Sequence, residues 1–125
     1  MERSFENLKV WQKSKAFIIK IYKALSLFPV DEKYSMVDQI KRCSNSICAN
    51  IAEGTGKNTD KDLINYLYIA RGSLNETKSF LIVANELGFL NDESFVELYY
   101  NANEIGKMLN GLINSLKKPK DYIKK

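Results

Sequence analysis

The sequence predicts an all-α domain, an antiparallel up-down-up-down four-helix bundle. Three observations carry that prediction. Four segments of roughly 20 residues or more show helical apolar period, the breaks between them are short, and turn formers are scarce, with 6 Gly and 2 Pro in 125 residues. A chain of this length is read as one domain, residues 1–125, large enough to bury a real core. Hydrophobic residues at 45% and charged residues at 27% match an ordered soluble protein.

The first helix is expected over about 7–27. At roughly 100° per residue, Leu8, Trp11, Ile18, Tyr22 and Leu25 cluster on one side, with Lys9, Lys13, Lys20 and Lys23 opposite. Phe28-Pro29 ends it, because proline disfavours helix in the residue before it. The second helix is expected over about 32–53, with Met36, Val37, Ile40, Cys43, Ile47, Cys48 and Ile51 as its apolar face. Gly54-Thr55-Gly56 follows, and Gly54 is expected to take the left-handed position after the helix C-terminus.

The third helix, about 59–87, has the clearest start. Thr59 is a good N-cap, Asp62 follows at capping-box spacing, and Gly88 marks the stop. The fourth, about 91–117, opens on Asn91 with Asp92 and Glu93 matched to the positive end of the dipole. Its seam is Phe95, Leu98, Ala102, Ile105, Leu109, Leu112, Ile113 and Leu116, and residues 118–125 read as a basic tail.

The third helix is apolar on two sides. Leu63, Leu67, Ala70, Leu74, Thr77, Leu81 and Ala84 keep the alternating four-three spacing of a bundle seam. Ile69, Gly72, Phe80, Val83 and Leu87 point elsewhere, although a helix in a monomeric bundle needs one apolar face. Two readings stand: these residues form a subunit interface, with Gly72 and Ser73 allowing close approach, or they tuck under the N-terminal segment that includes Phe5.

The chemistry is mostly negative. The chain has no histidine, which removes the commonest general base, the Ser-His-Asp arrangement and most zinc sites. Cys43 and Cys48 are five apart on one helix, so they read as small buried hydrophobes and not as a disulfide or metal pair. Gly54-Thr55-Gly56-Lys57 follows a helix and lacks Walker spacing. No enzyme activity, cofactor or metal is expected. One polar constellation stands out: Gln39, Ser46, Asn50 and Glu53 on a flank of the second helix, with Ser73 and Glu76 beside the extra face of the third. Glu53 and Glu76 are the acids expected to be partly buried, and Glu53, opposing the helix dipole, calls for a cation such as Lys57, Arg71 or Arg42, or for a free backbone N–H. These residues read as a network that sets helix register, with a ligand or catalytic site around Asn50, Glu53 and Glu76 as the alternative.

The chain carries 19 basic against 15 acidic residues, a net charge of +4. Residues 1–30 hold six Lys/Arg against two Glu, so the surplus is placed on the first helix. The lysine stripe is either a solvated face or a phosphate-binding surface. No run of about 18 apolar residues could span a membrane. The start, Met1-Glu2-Arg3-Ser4, leads into a charged amphipathic stretch unlike an export signal, and a cytoplasmic location is expected.

Several stretches carry a family resemblance: Phe5-x-x-Leu8-x-Val10-Trp11-Gln12, Phe28-Pro29-x-x-Glu32-x-Tyr34, Gln39-Ile40-x-Arg42 and Ser46-Ile47-x-Ala49-Asn50-Ile51-Ala52-Glu53-Gly54. Tyr66-Leu67-x-Ile69-Ala70-x-Gly72-Ser73-x-x-Glu76 and Leu87-Gly88-Phe89-Leu90 continue it, over about residues 5–116. The chain resembles the four helix bundle proteins encoded within 23S rRNA intervening sequences. It is also similar to the accessory variability proteins of diversity-generating retroelements, basic bundles that bind a reverse transcriptase and nucleic acid. The resemblance implies a four-helix bundle assembled as a homopentamer or other cyclic oligomer, with RNA or DNA as a partner, or a protein partner such as a reverse transcriptase. By position, the motif residues are Gln39, Arg42, Ser46, Asn50, Glu53, Gly54, Gly72, Ser73 and Glu76. Lys57 stands where the family commonly has Arg, and Cys43 and Cys48 stand where small residues are usual.

Overall fold

The structure, a computed structural model, describes residues 4–119 and contains four helices and no strand among them. They are α1 (Lys9–Leu25), α2 (Met36–Thr55), α3 (Asp60–Glu86) and α4 (Asp92–Lys117). Short 3-10 turns at Phe5–Asn7 and Val30–Glu32 precede α1 and α2. Most of the expected basic tail, residues 120–125, lies outside the described residues.

Side-chain contacts fix the topology. Lys13 reaches Glu104 and Lys20 reaches Glu97, so α1 and α4 run antiparallel. Gly54 lies against Tyr66, and Cys43 against Thr77, which sets α2 antiparallel to α3. Tyr68 meets Lys117 and Asn85 meets Asp92, which does the same for α3 and α4. Trp11 meets Cys48 and Tyr22 meets Asn45, completing the circuit between α1 and α2. Cα atoms of neighbouring helices come within 8 Å of one another and those of the diagonal pairs α1/α3 and α2/α4 do not, as in an up-down-up-down bundle.

Burial explains the helices. All seven seam residues of α3 are buried, and each of its leucines contributes roughly 1.5–3 kcal/mol through removal from water. The α3 start is capped by Thr59 Oγ1, which accepts from the Asp62 N–H at 3.1 Å. Asn91 Oδ1 likewise accepts from the Ser94 N–H at 2.8 Å to start α4. Gly88, at φ 82°, turns the chain out of α3 while the Phe89 N–H returns to the Ala84 carbonyl at 2.9 Å.

Three expectations are corrected. The buried face of α1 is Val10, Ser14, Phe17, Ile21 and Leu25, while Trp11 and Ile18 are half-buried and Tyr22 is exposed. The true face is rotated roughly 80° from the expected one. Apolar residues cover much of the α1 surface, and the buried hydroxyl of Ser14 interrupts the stripe that wins. It donates to the Val10 carbonyl at 2.7 Å and so costs little to bury.

Second, α2 begins at Met36 and not at residue 32. After Pro29 the chain spends Val30–Glu32 in a 3-10 turn at the corner, and Phe28 is anchored in the core beside Phe89. Third, Gly54 lies inside α2 and takes no left-handed conformation; the helix continues through Thr55. A Cβ on Gly54 would fall 2.6 Å from Tyr66 Cβ and 3.0 Å from Leu63 Cδ1. This glycine lets α3 approach.

Gly54→Ala should therefore destabilise the fold by roughly 1–3 kcal/mol through overpacking, although alanine is the better helix former by about 1 kcal/mol. Gly111→Ala, where a Cβ would meet nothing within 4 Å, should be neutral or stabilising. Urea midpoints of the two variants check this; equal midpoints would refute the close-approach role of Gly54.

Candidate functional site

Two surfaces gather the residues singled out in the sequence. The first is the outer flank of the α2/α3 pair. Ser73 Oγ donates to Ser46 Oγ at 2.8 Å, and Asn50 Nδ2 donates to the carbonyl and hydroxyl oxygens of Ser46 at 2.8 and 2.9 Å. One turn along, Thr77 Oγ1 donates to the Ser73 carbonyl and meets Cys43 Sγ at 3.2 Å. Small polar side chains thus tie α2 to α3, and they fit because each is short.

Other motif residues lie at the rim of this cluster. Glu53 and Glu76 are exposed, not partly buried as expected; both lie beyond the line of closest helix approach. Glu53 Oε2 lies 3.6 Å from Lys57 Nζ, and Arg42 bonds Asp38 at 3.0 Å. Gln39 is exposed. Gly72 is open on its outer side. Beside it, Ile69, Val83 and Leu87 are 51%, 44% and 56% exposed, and Phe80 is half-buried against the core. Phe5 does not cover this face: its ring packs edge-on against Trp11, with centroids 4.9 Å apart.

The second surface was not visible as a unit in the sequence. An open groove of about 920 Å³ crosses α4, with Leu74, Gly106 and Met108 among its lining residues. Lys13 of α1, Arg71 and Lys78 of α3, and Lys107 of α4 converge on it, with Glu104 as the one acid. Asn75, Asn103, Asn110 and Tyr100 supply polar and aromatic surface. Arg71 Nη1 donates to Asn110 Oδ1 at 3.0 Å and its guanidinium lies 4.9 Å from the Tyr68 ring. Lys117 donates to the Tyr68 hydroxyl at 2.9 Å. That bond, with the charges of Lys117 and Arg71, holds the Tyr68 hydroxyl below its usual pKa.

The expected lysine stripe divides. The rotation of α1 brings Lys13 and Lys20 to the α4 side, where Glu104 lies 3.9 Å from Lys13 and Glu97 lies 2.9 Å from Lys20. Lys9 and Lys23 are exposed. The surplus is not a property of α1 alone. One half of the bundle (residues 4–17, 46–73 and 105–119) holds nine basic and four acidic residues, and the other half (18–45 and 74–104) holds six and nine. Among residues 105–119 there are three lysines and no acid. A regular signal was present: Tyr100, Asn103, Lys107 and Asn110 recur at three- and four-residue steps on α4, on the side away from its seam.

Among the described residues no group of three or more Cys, Asp or Glu side chains could hold a metal ion, and no helix is long and apolar enough to cross a membrane. The Gly54–Lys57 stretch is no phosphate loop: Gly54 and Thr55 are helical and buried, and Thr55 Oγ1 donates to the Ile51 carbonyl at 2.6 Å. Cys43 and Cys48 are both free thiols. Burial raises the pKa of each, that of Cys48 to about 11, and Thr77 partly offsets the effect at Cys43.

Residues 6–111 match the family described as 23S rRNA-intervening sequence protein. Among solved structures, a protein of unknown function from the S23 ribosomal protein family of Bacteroides thetaiotaomicron is similar, at 30% identity and a TM-score of 0.78. The similarity covers 84% of this chain and 95% of that one. No curated protein matches the chain.

The Cys48 thiol gives a pH test. Its raised folded-state pKa means that its contribution to stability is complete below pH 9 and is lost as pH rises towards about 11. The difference in urea midpoint between the wild-type chain and Cys48→Ala should shrink across that interval. A difference constant from pH 8 to pH 11 would contradict the burial of the neutral thiol.

Proposed function

Because the chain belongs to the 23S rRNA-intervening sequence protein family, we propose that it works by association: it assembles with copies of itself and binds nucleic acid through the groove across α4, without catalysing a reaction. The observation that carries the binding half is the convergence of Lys13, Arg71, Lys78 and Lys107 on one open groove holding a single acid. Cations placed this way neutralise phosphates and release condensed counterions, an attraction that is sequence-independent and weakens with salt. The assembly half rests on the outer flank of α3, where Ile69, Val83 and Leu87 remain exposed beside the open backbone at Gly72. Monomeric proteins seldom leave such a row in water. In a cyclic homo-oligomer, such as the pentamer the family resemblance implies, the groove would recur once per subunit and its weak charge would be multiplied.

The family's description points to RNA as the first probe, and a cytoplasmic location fits that partner. A second reading is an adaptor that binds a protein, for instance a reverse transcriptase, and meets nucleic acid only in complex. It is favoured by Leu27, Val30 and Tyr34, which are exposed together at the corner between α1 and α2, in the half of the bundle with more acids than bases.

Two measurements test this. Affinity for a structured RNA should fall steeply with salt, and Lys107→Ala should reduce the slope of log K against log salt by roughly one. Undetectable binding at low salt would leave the adaptor reading ahead. Light scattering should give a mass at least twice 14.4 kDa, and Val83→Glu should return it to a single subunit. A wild-type monomer would remove the assembly half.

A further inference from the structure

Resting on the groove reading above, we infer that the groove takes single-stranded nucleic acid in preference to duplex, with a base stacked on Tyr100. The argument begins with the tyrosines. Six lie among the described residues, and five are engaged by neighbours. Tyr22 accepts from Asn45 and carries Lys41 over its ring, Tyr34 carries Lys33, and Tyr66 carries Lys57. Tyr68 is held by Arg71 and Lys117, and Tyr99 lies between Phe95 and Lys78. Tyr100 alone has no ring, cation or hydrogen-bond partner among the described residues, and it is 62% exposed.

Its position makes that freedom useful. Tyr100 lines the same groove as Arg71, Lys78 and Lys107. Lys107 lies two turns along the outer side of α4, roughly 10 Å away at 1.5 Å per residue. Asn75 and Asn103, also in the lining, are exposed, and neither makes a side-chain hydrogen bond among the described residues. Free amides can donate to and accept from base edges. An exposed ring beside unneutralised cations and free amides is the pairing that single-strand binders use: cations follow the backbone and the ring stacks a base. A duplex presents phosphates but keeps its bases stacked on each other, so it would use the cations and leave Tyr100 idle.

The test uses the full chain and two fluorescein-labelled RNAs, an oligouridine of about 24 nucleotides and a GC-rich duplex of about 12 base pairs with the same number of phosphates, titrated by fluorescence anisotropy at low salt. The wild-type chain should bind the single strand more tightly. Tyr100→Ala should lose roughly ten-fold in affinity for oligouridine and change little for the duplex, Tyr100→Phe should bind like the wild type, and Lys107→Glu should weaken both. Far-UV circular dichroism of each variant verifies folding. A wild-type preference for the duplex, or a Tyr100→Ala variant that binds oligouridine as the wild type does, would overturn the inference. If Lys107→Glu still weakened both probes in that case, the groove reading would survive. If Lys107→Glu changed neither, both would fall.

Discussion

The close approach of α2 to α3 is the constraint on which the rest of this bundle depends. Gly54 admits the Tyr66 Cβ and the Leu63 side chain into space that any larger residue would fill. Farther along, short side chains at Ser46, Ser73, Thr77 and Cys43 meet directly across the gap. Helices this near one another cannot slide or rotate without clashing or leaving buried polar groups unpaired, and unpaired groups cost more than each bond contributes. The hydroxyl contacts therefore act mainly on register.

That register has a consequence on the outer side. With α2 drawn against the Tyr66–Ser73–Thr77 flank of α3, its short side chains do not extend over Ile69, Val83 and Leu87, and no loop among the described residues covers them. Closeness on one side leaves α3 bare on the other. Motif residues that read as one polar network in the sequence, Asn50, Glu53 and Glu76, thus separate: Asn50 serves the helix contact, Glu53 joins Lys57, and Glu76 stands in solvent.

Charge follows the same packing. Pairs such as Lys20–Glu97 lie at the surface, where an ion pair contributes little to stability. Their effect is to cancel the local field along the α1/α4 seam. No comparable row of acids answers Arg71, Lys78 and Lys107 on the other side of α4, so the uncompensated charge is gathered there. The same helix, α4, divides a neutralised seam from a basic groove: Glu97 pairs with Lys20, and Glu104, 3.9 Å from Lys13, stands at the α1 edge of the groove as its one acid.

Much of this was readable from the residues. The four-three spacing of Leu63 to Ala84, the caps Thr59 and Asn91 and the stop at Gly88 depend on neighbours within a few positions, so local pattern was enough for the fold class and for α3 and α4. The phase of α1 was not readable, because apolar residues cover much of its surface and a buried serine, satisfied by its own helix, marks the winning stripe. Nor was the role of Gly54, since a helix-end glycine and a close-contact glycine look alike until the facing helix is in place. The basic groove draws on three helices far apart in the chain, and only the tertiary structure could decide which lysines meet an acid and which do not. Helical period is a property of one segment, whereas a phosphate-binding surface is a sum over segments whose rotations are settled by packing.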